Sequence, residues 1–326
     1  MAKGRSLEQK LAAVRALRGA PRSPQWVEDL RAALADPSNL VAAEAAVIAC
    51  DARVGEVAPD LVTAFDRFLD DPLKRDKLCR AKIAIAEALN KLDFEEEDFF
   101  WRGARYVQFE PVWGRSQDTA APLRVACAFG LVRTRAQNLL PYLVDLLCDP
   151  EKPARIGAAQ ALAYSERDAA YLLLRLKARL GDEEPEVVGE CMNGLIKLRP
   201  AEGVSFVAEF LDAPDEAIQE SAILALGDSR RSEAFDHLKA FWEKEWDAKL
   251  KEVALMGMAL LRLPVATDFL LELIATQPEA AARDAVSALA VHRYDERIRE
   301  RTAAAVVKNG RAGLKAHFEK CFHVTD

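Results

Sequence analysis

Small and apolar residues recur along this chain at helical spacing, and the pattern repeats from end to end. Residues 149–162, DPEKPARIGAAQAL, show the unit. Asp149 is suited to cap a helix by accepting a hydrogen bond from a free backbone N–H. Pro150 fits the first turn, where its missing N–H costs nothing. Ala154, Arg155, Ala158, Ala159, Ala161 and Leu162 then spell A-R-x-x-A-A-x-A-L. The Leu162 position recurs at Ala49, Leu89, Leu131, Leu195, Leu226, Leu260 and Leu289, and all eight copies are separated by steps of 40, 42, 31, 33, 31, 34 and 29 residues. Three and four residues before each anchor stand small or apolar pairs, from Ala45 and Ala46 to Ala285 and Val286. Offsets 0, −1, −4 and −8 share one helical face, with −3 and −7 at its margin. Each helix is therefore expected to pack along that face.

A second helix precedes most anchors, joined to it by a recurring turn. The turns end in Asp36-Pro37, Asp71-Pro72, Asp149-Pro150 and Ala213-Pro214, with Asp182 and Pro185 forming a further copy. Helix stop, cap and helix start fall within a few residues, as in an αα-hairpin. The first helices carry their own stripes, such as Leu139, Leu143, Leu146 and Leu147. Strand signals are nearly absent, with no Asn-Gly or Asp-Gly hairpin turn.

Over residues ~24–292, these turns and x-R-x-x-A-A-x-A-L helices resemble the HEAT-repeat family, in the short form of the phycobilin-lyase type. The resemblance implies an all-α, right-handed αα-superhelix of about eight helical hairpins with terminal capping helices, an ARM-type fold. Residues 1–326 are expected to form one domain: an N-terminal cap helix in 1–23, repeats in 24–292 and a C-terminal cap in 293–326. The family's ladder arginine stands at Arg124 and Arg155, with Lys82 in the same place. Elsewhere that position holds Ala42, Val188, Gln219, Val253 and Ala282, which confines an arginine–aspartate ladder to part of the chain.

The 42-residue step breaks the period. A helix fits roughly 96–107, and 108–121 is too long and too aromatic for a hairpin turn. Its Phe109 and Trp113 point to an ordered loop. The C-terminal cap is expected as helices near 295–308 and 312–322.

Composition narrows the function classes. The 326 residues are 51% hydrophobic and 30% charged, with net charge −7. Residues 1–93 sum to +1, 94–150 to −2 and 151–326 to −6, so no segment has the basic excess that phosphate binding needs. The six cysteines form no C-x-x-C, which suits a reducing, cytoplasmic setting. No apolar run approaches a membrane span.

Candidate chemistry is sparse. Glu95, Glu96, Glu97 and Asp98 could pair with Arg102 and Arg105, but carboxylates in a first helical turn also follow from the macrodipole. His317, Cys321 and His323 could ligate zinc in principle, yet no fourth ligand stands nearby, so neither a metal nor another cofactor is expected. Trp101, Trp113 and Asp118 are the residue types of a helical-repeat DNA glycosylase, a reading opposed by the acidic balance. No G-x-S-x-G, P-loop, G-x-G-x-x-G or H-E-x-x-H is present.

The outward offsets −6 and −2 carry the strongest signal. The early repeats place Val47, Ile83, Val125, Phe129 and Ile156 there, and later ones are mostly polar apart from Leu224 and Met258. Such a run needs a cover. Either the 108–121 loop folds across it, with Trp113 touching at least two of Ile83, Val125, Phe129 and Ile156 and Arg115 at the rim, or a partner binds there. The reading is a non-enzymatic, monomeric scaffold that takes a protein or peptide on its concave face, without nucleic acid or membrane. The alternative is a lyase-like or chaperone-like protein that handles a bilin or other planar apolar ligand. The charge distribution predicts no duplex DNA binding above generic background at physiological salt; a salt-dependent mobility shift at micromolar concentration would overturn it.

Overall fold

The computed structural model describes residues 6–323, with the backbone but not the side chain of Arg115. The chain divides into two compact units, Met1–Ser165 and Glu166–Asp326. The first holds α1 (Leu7–Ala16), α2 (Pro24–Leu34), α3 (Asn39–Asp51), α4 (Ala58–Leu69), the single turn α5 (Pro72–Arg75), α6 (Arg80–Lys91), α7 (Glu97–Ala104), α8 (Ala121–Arg133), α9 (Leu139–Leu147) and α10 (Lys152–Ser165). Between α7 and α8, strands β1 (Phe109–Val112) and β2 (Arg115–Asp118) pair antiparallel, with Val112 opposite Arg115. The second unit holds α11 (Asp168–Leu180), α12 (Pro185–Leu198), α13 (Pro200–Ala208), α14 (Glu216–Asp228), α15 (Ser232–Lys244), α16 (Ala248–Leu260), α17 (Pro264–Thr276), α18 (Glu279–Leu289), α19 (Glu296–Asn309) and α20 (Ala312–Cys321).

Local chemistry starts many of these helices. Ser6 and Gln9 form a capping box on α1, and Ser23 accepts from the Trp26 N–H while Pro24 occupies the first turn of α2. Asp215, Asp247 and Asp295 cap α14, α16 and α19 in the same way.

Each unit is a two-layer α-solenoid. In the first, α3, α6, α8 and α10 pack side by side as an inner layer; in the second, α12, α14, α16, α18 and α20 do so. Helices such as α9, α11, α15 and α17 back them as the outer layer. Small residues set the spacing of the inner layer. A Cβ on Gly157 would come within 2.3 Å of the Val125 side chain, so α10 approaches α8 closely only because Gly157 has none. A Cβ on Gly227 would meet the Gly257 backbone at 2.6 Å, where α14 meets α16. Burial of the anchor face excludes apolar surface from water and supplies the main driving force for stacking.

The anchors Ala49, Leu89, Leu131, Leu162, Leu195, Leu226 and Leu289 are buried. Leu260 is only half-buried, and Met258, expected to face outward, is fully buried. With Met258 as anchor, Ala254 and Leu255 take the −4 and −3 places, and the flanking steps become 32 and 31 residues. The leucine-rich run Leu255–Leu261 masked this register. Two neighbouring apolar residues can both serve as anchor on paper, but only one faces the inner neighbour.

The turn at Asp149 does more than cap. Helix α10 begins at Lys152, and Asp149 accepts from the Glu151 N–H at 2.9 Å in a turn ahead of it. Its carboxylate also receives two hydrogen bonds from Arg124, at 3.0 Å each. Asp149→Ala should therefore cost roughly 2 kcal/mol, beyond a simple cap, because a buried guanidinium loses two charge-assisted hydrogen bonds and keeps only Asp118 as its carboxylate. Asp149→Asn, which keeps the turn bond, should cost less. A parental urea midpoint for Asp149→Ala would show that the pair contributes nothing.

Candidate functional site

The inner layer of the first unit carries an open groove of about 400 Å³ where α6, α8 and the start of α10 meet. Val125, Ala126, Phe129 and Pro153 supply its apolar wall, and Glu87, Asn90 and Lys91 its polar rim. Val125 and Phe129 lie opposite the anchor face of α8 and are both half-buried, with Val125 also packed on Gly157 of α10. The Phe129 ring meets Tyr164 edge-on at 5.9 Å, which fixes the end of the groove.

Of the residues singled out from sequence, the structure brings Val125 and Phe129 together in this groove. Ile83 and Ile156 are half-buried on the same layer but are not among its lining residues, and Val47 is exposed on α3. Trp113 is not on the groove. It is fully exposed, at the two-residue turn of the β-hairpin. The side chain of Arg115 lies outside the described residues.

The reason for the misplacement is how segment 108–121 is pinned. The expected loop is a hairpin whose polar side chains face inward. Asp118 accepts from the backbone N–H groups of Gln108 and Ala120, each at 2.9 Å, and from Arg124 at 2.5 Å. Glu110 accepts from the Leu78 N–H at 2.6 Å and from the Gln108 amide and Thr119 hydroxyl at 2.8 Å each. The Gln108 amide also donates to the Asp76 carbonyl. With the stem held by buried polar groups, the aromatic residues are left outside. Gly114, at φ +75, supplies the left-handed residue that the turn needs. A single Gly in a two-residue turn was the available sequence signal, weakened by Trp rather than Asn or Asp before it.

Behind the hairpin lies a chain of buried ion pairs. Lys82 is fully buried, donating to Asp76 at 2.9 Å and to the Phe68 carbonyl at 3.1 Å, with its ammonium over the Tyr106 ring. Asp76 also accepts from the N–H groups of Ala81 and Lys82, which start α6. Arg124 bridges Asp118 and Asp149. Burial works against its charge, but the hydrogen bond to Asp118 and the two carboxylates outweigh it and hold the guanidinium pKa above its usual value. Arg155 donates to the carbonyls of Asp149 and Pro150. Of the ladder positions, Lys82 pairs with Asp76 and Arg124 with Asp118 and Asp149, while Arg155 donates to the carbonyls of the Asp149 turn.

The remaining candidates separate. Arg102 pairs with Asp66, and Arg105 lies over Trp101, so the 95–98 acidic run gathers neither around a ligand. Trp101 meets Tyr142, far in role from exposed Trp113 and buried Asp118. His317 Nε2 lies 2.9 Å from Ser287 Oγ and 3.5 Å from Cys321 Sγ, while its Nδ1 faces Arg283. Burial and then Arg283 lower the His317 pKa. A cation where a triad needs a carboxylate leaves this histidine unoriented as a general base. Among the described residues, no group of three His, Cys, Asp or Glu is placed to hold a metal ion. Burial pushes the Cys79 and Cys191 thiols up to about 12, and Cys127 in the same direction, so none of these is a ready nucleophile. No helix among the described residues is long and apolar enough to cross a membrane.

Residues 172–259 match the family described as HEAT repeats. Among curated proteins, none matches the chain. Solved structures resemble it at low identity. The CpcE and CpcF complex of phycocyanin lyase from Nostoc sp. PCC7120 is 16% identical, covering 80% of this chain and 94% of that one, with a TM-score of 0.38. The Escherichia coli protein YIBA is 14% identical, with 88% and 98% covered and a TM-score of 0.45. A Kap121p variant is 14% identical, with 98% of this chain and 42% of that one covered, at a TM-score of 0.46. These are likenesses of fold.

The hairpin's stem and tip should respond differently to substitution. Asp118→Ala should cost roughly 3 kcal/mol, because it removes one of the two carboxylates on Arg124 and leaves the buried N–H groups of Gln108 and Ala120 without their acceptor. Trp113→Ala should change stability by no more than about 0.5 kcal/mol, since an exposed side chain loses no packing. Thermal melts check both, and a large Trp113→Ala loss would mean that the ring is covered.

Proposed function

We propose that the chain is a non-enzymatic, monomeric scaffold that holds a protein or peptide partner on the concave side of its repeats. Val125 and Phe129 make the central contacts, and Val47, Ile83 and Ile156 extend the surface. The observation that carries this reading is the open groove itself: two apolar side chains stay half-exposed, and the hairpin that was positioned to cover them turns away. A volume of about 400 Å³ suits anchor side chains of a bound segment. Glu87 and Lys91 stand one helical turn apart on α6 at its rim, so opposite charges are available to orient that segment. All six cysteines are free, which favours a reducing, cytoplasmic setting.

The test is capture of the partner from the native host. Phe129→Asp should abolish capture while leaving the far-ultraviolet circular dichroism of the helices intact. Capture that survives both Phe129→Asp and Val125→Asp would move binding away from the groove.

A further inference from the structure

The groove where α6, α8 and α10 meet has one neutral donor to offer, and the fold sets its direction. Arg133 Nε donates to Asn90 Oδ1 at 3.2 Å. Arg133 is itself held, donating to the Phe94 carbonyl and lying over the Phe100 ring, 5.8 Å from its centre. An N–H donor meets the oxygen of an amide and not its NH2, so the Asn90 amide cannot turn over without losing this bond. Asn90 lines the groove, and its Nδ2, with two N–H donors, has no acceptor among the described residues. The rest of the lining has nothing equivalent. Pro122 and Pro153 have no backbone N–H. The N–H groups of the other lining residues are spent inside α6 and α8.

We infer that the groove takes an extended peptide segment, and that Asn90 Nδ2 donates to one of its backbone carbonyls. This form of binding rests on the groove being the protein-binding surface proposed above. A helix has its interior carbonyls bonded within itself and brings none of them to Asn90. An extended segment leaves its carbonyls free, and alternation turns every second side chain to one side. Its apolar side chains are taken by Val125, Ala126 and Phe129.

Charge sets the composition of the segment. Glu87 and Lys91 are exposed on the same rim as Asn90, and neither has an ion pair among the described residues. Side chains one helical turn apart stand about 5–6 Å from each other. Residues two apart in an extended chain share a side and are about 6.6 Å apart. A basic residue opposite Glu87 and an acidic one opposite Lys91, two positions away, therefore match the rim. The residue between them turns the other way, toward the apolar wall.

Selection of random linear peptides on the full chain tests the assignment. Enriched peptides whose binding Phe129→Asp abolishes are the groove ligands. They should hold an apolar residue between a basic and an acidic one, and their circular dichroism should show no helix. Asn90→Ala should weaken them roughly threefold to tenfold, the loss of one hydrogen bond. Arg133 keeps the Phe94 carbonyl in that variant, and a thermal melt checks that the fold persists. An amide-to-ester scan of one such peptide then weakens its carbonyls as acceptors one at a time. A single position should cost several-fold on the parent chain and nothing further on Asn90→Ala. Groove ligands that are helical, that lack the two charges, that ignore Asn90→Ala or that show no ester position coupled to Asn90 would overturn the inference and leave the binding surface standing. Failure to enrich any peptide sensitive to Phe129→Asp would remove both.

Discussion

Arg124 is the point on which the first unit depends. Its guanidinium reaches the hairpin stem through Asp118, the next repeat's turn through Asp149, and the end of the α7 segment through the Tyr106 carbonyl. Three pieces of chain distant in sequence are fixed by one planar group with five donors. Lys82 serves α6 similarly but with a compact ammonium, which donates to Asp76 and the Phe68 carbonyl and lies over the Tyr106 ring. Buried pairs of this kind add little net stability over a well-packed apolar core, yet breaking one leaves a stranded charge. Their effect is to make alternative placements of the hairpin expensive.

The inner layer obeys a different constraint, that of helix separation. Gly157 against Val125, and Gly227 against Gly257, bring neighbouring helices nearer than any side chain would permit. The groove around Val125 and Phe129 borders this contact: the Val125 side chain packs on Gly157 on one side and faces the opening on the other.

Helix positions and turns were largely readable from the chain. Spacing of the anchors located α3, α6, α8, α10, α12, α14 and α18, and the caps at α19 and α20 fell within a residue or two of expectation. The seventh anchor was misread because Met258 and Leu260 are both apolar, and packing density alone distinguishes them. The site was half legible. Val125 and Phe129 followed from helical geometry, which is local. Trp113 did not, because its place is set by Glu110 and Asp118 meeting Leu78 and Arg124, contacts that no short-range pattern encodes. Carboxylates, and not the aromatic residues, hold the 108–121 segment.

The hairpin also separates two kinds of structural constraint within ten residues of sequence. Stem residues such as Glu110 and Asp118 cannot change without disturbing helices on both sides. Trp113, exposed at the tip, has no such obligation. Lineages can therefore rewrite the tip while the scaffold beneath it stays still, and a new specificity can arise without passing through an unfolded intermediate sequence.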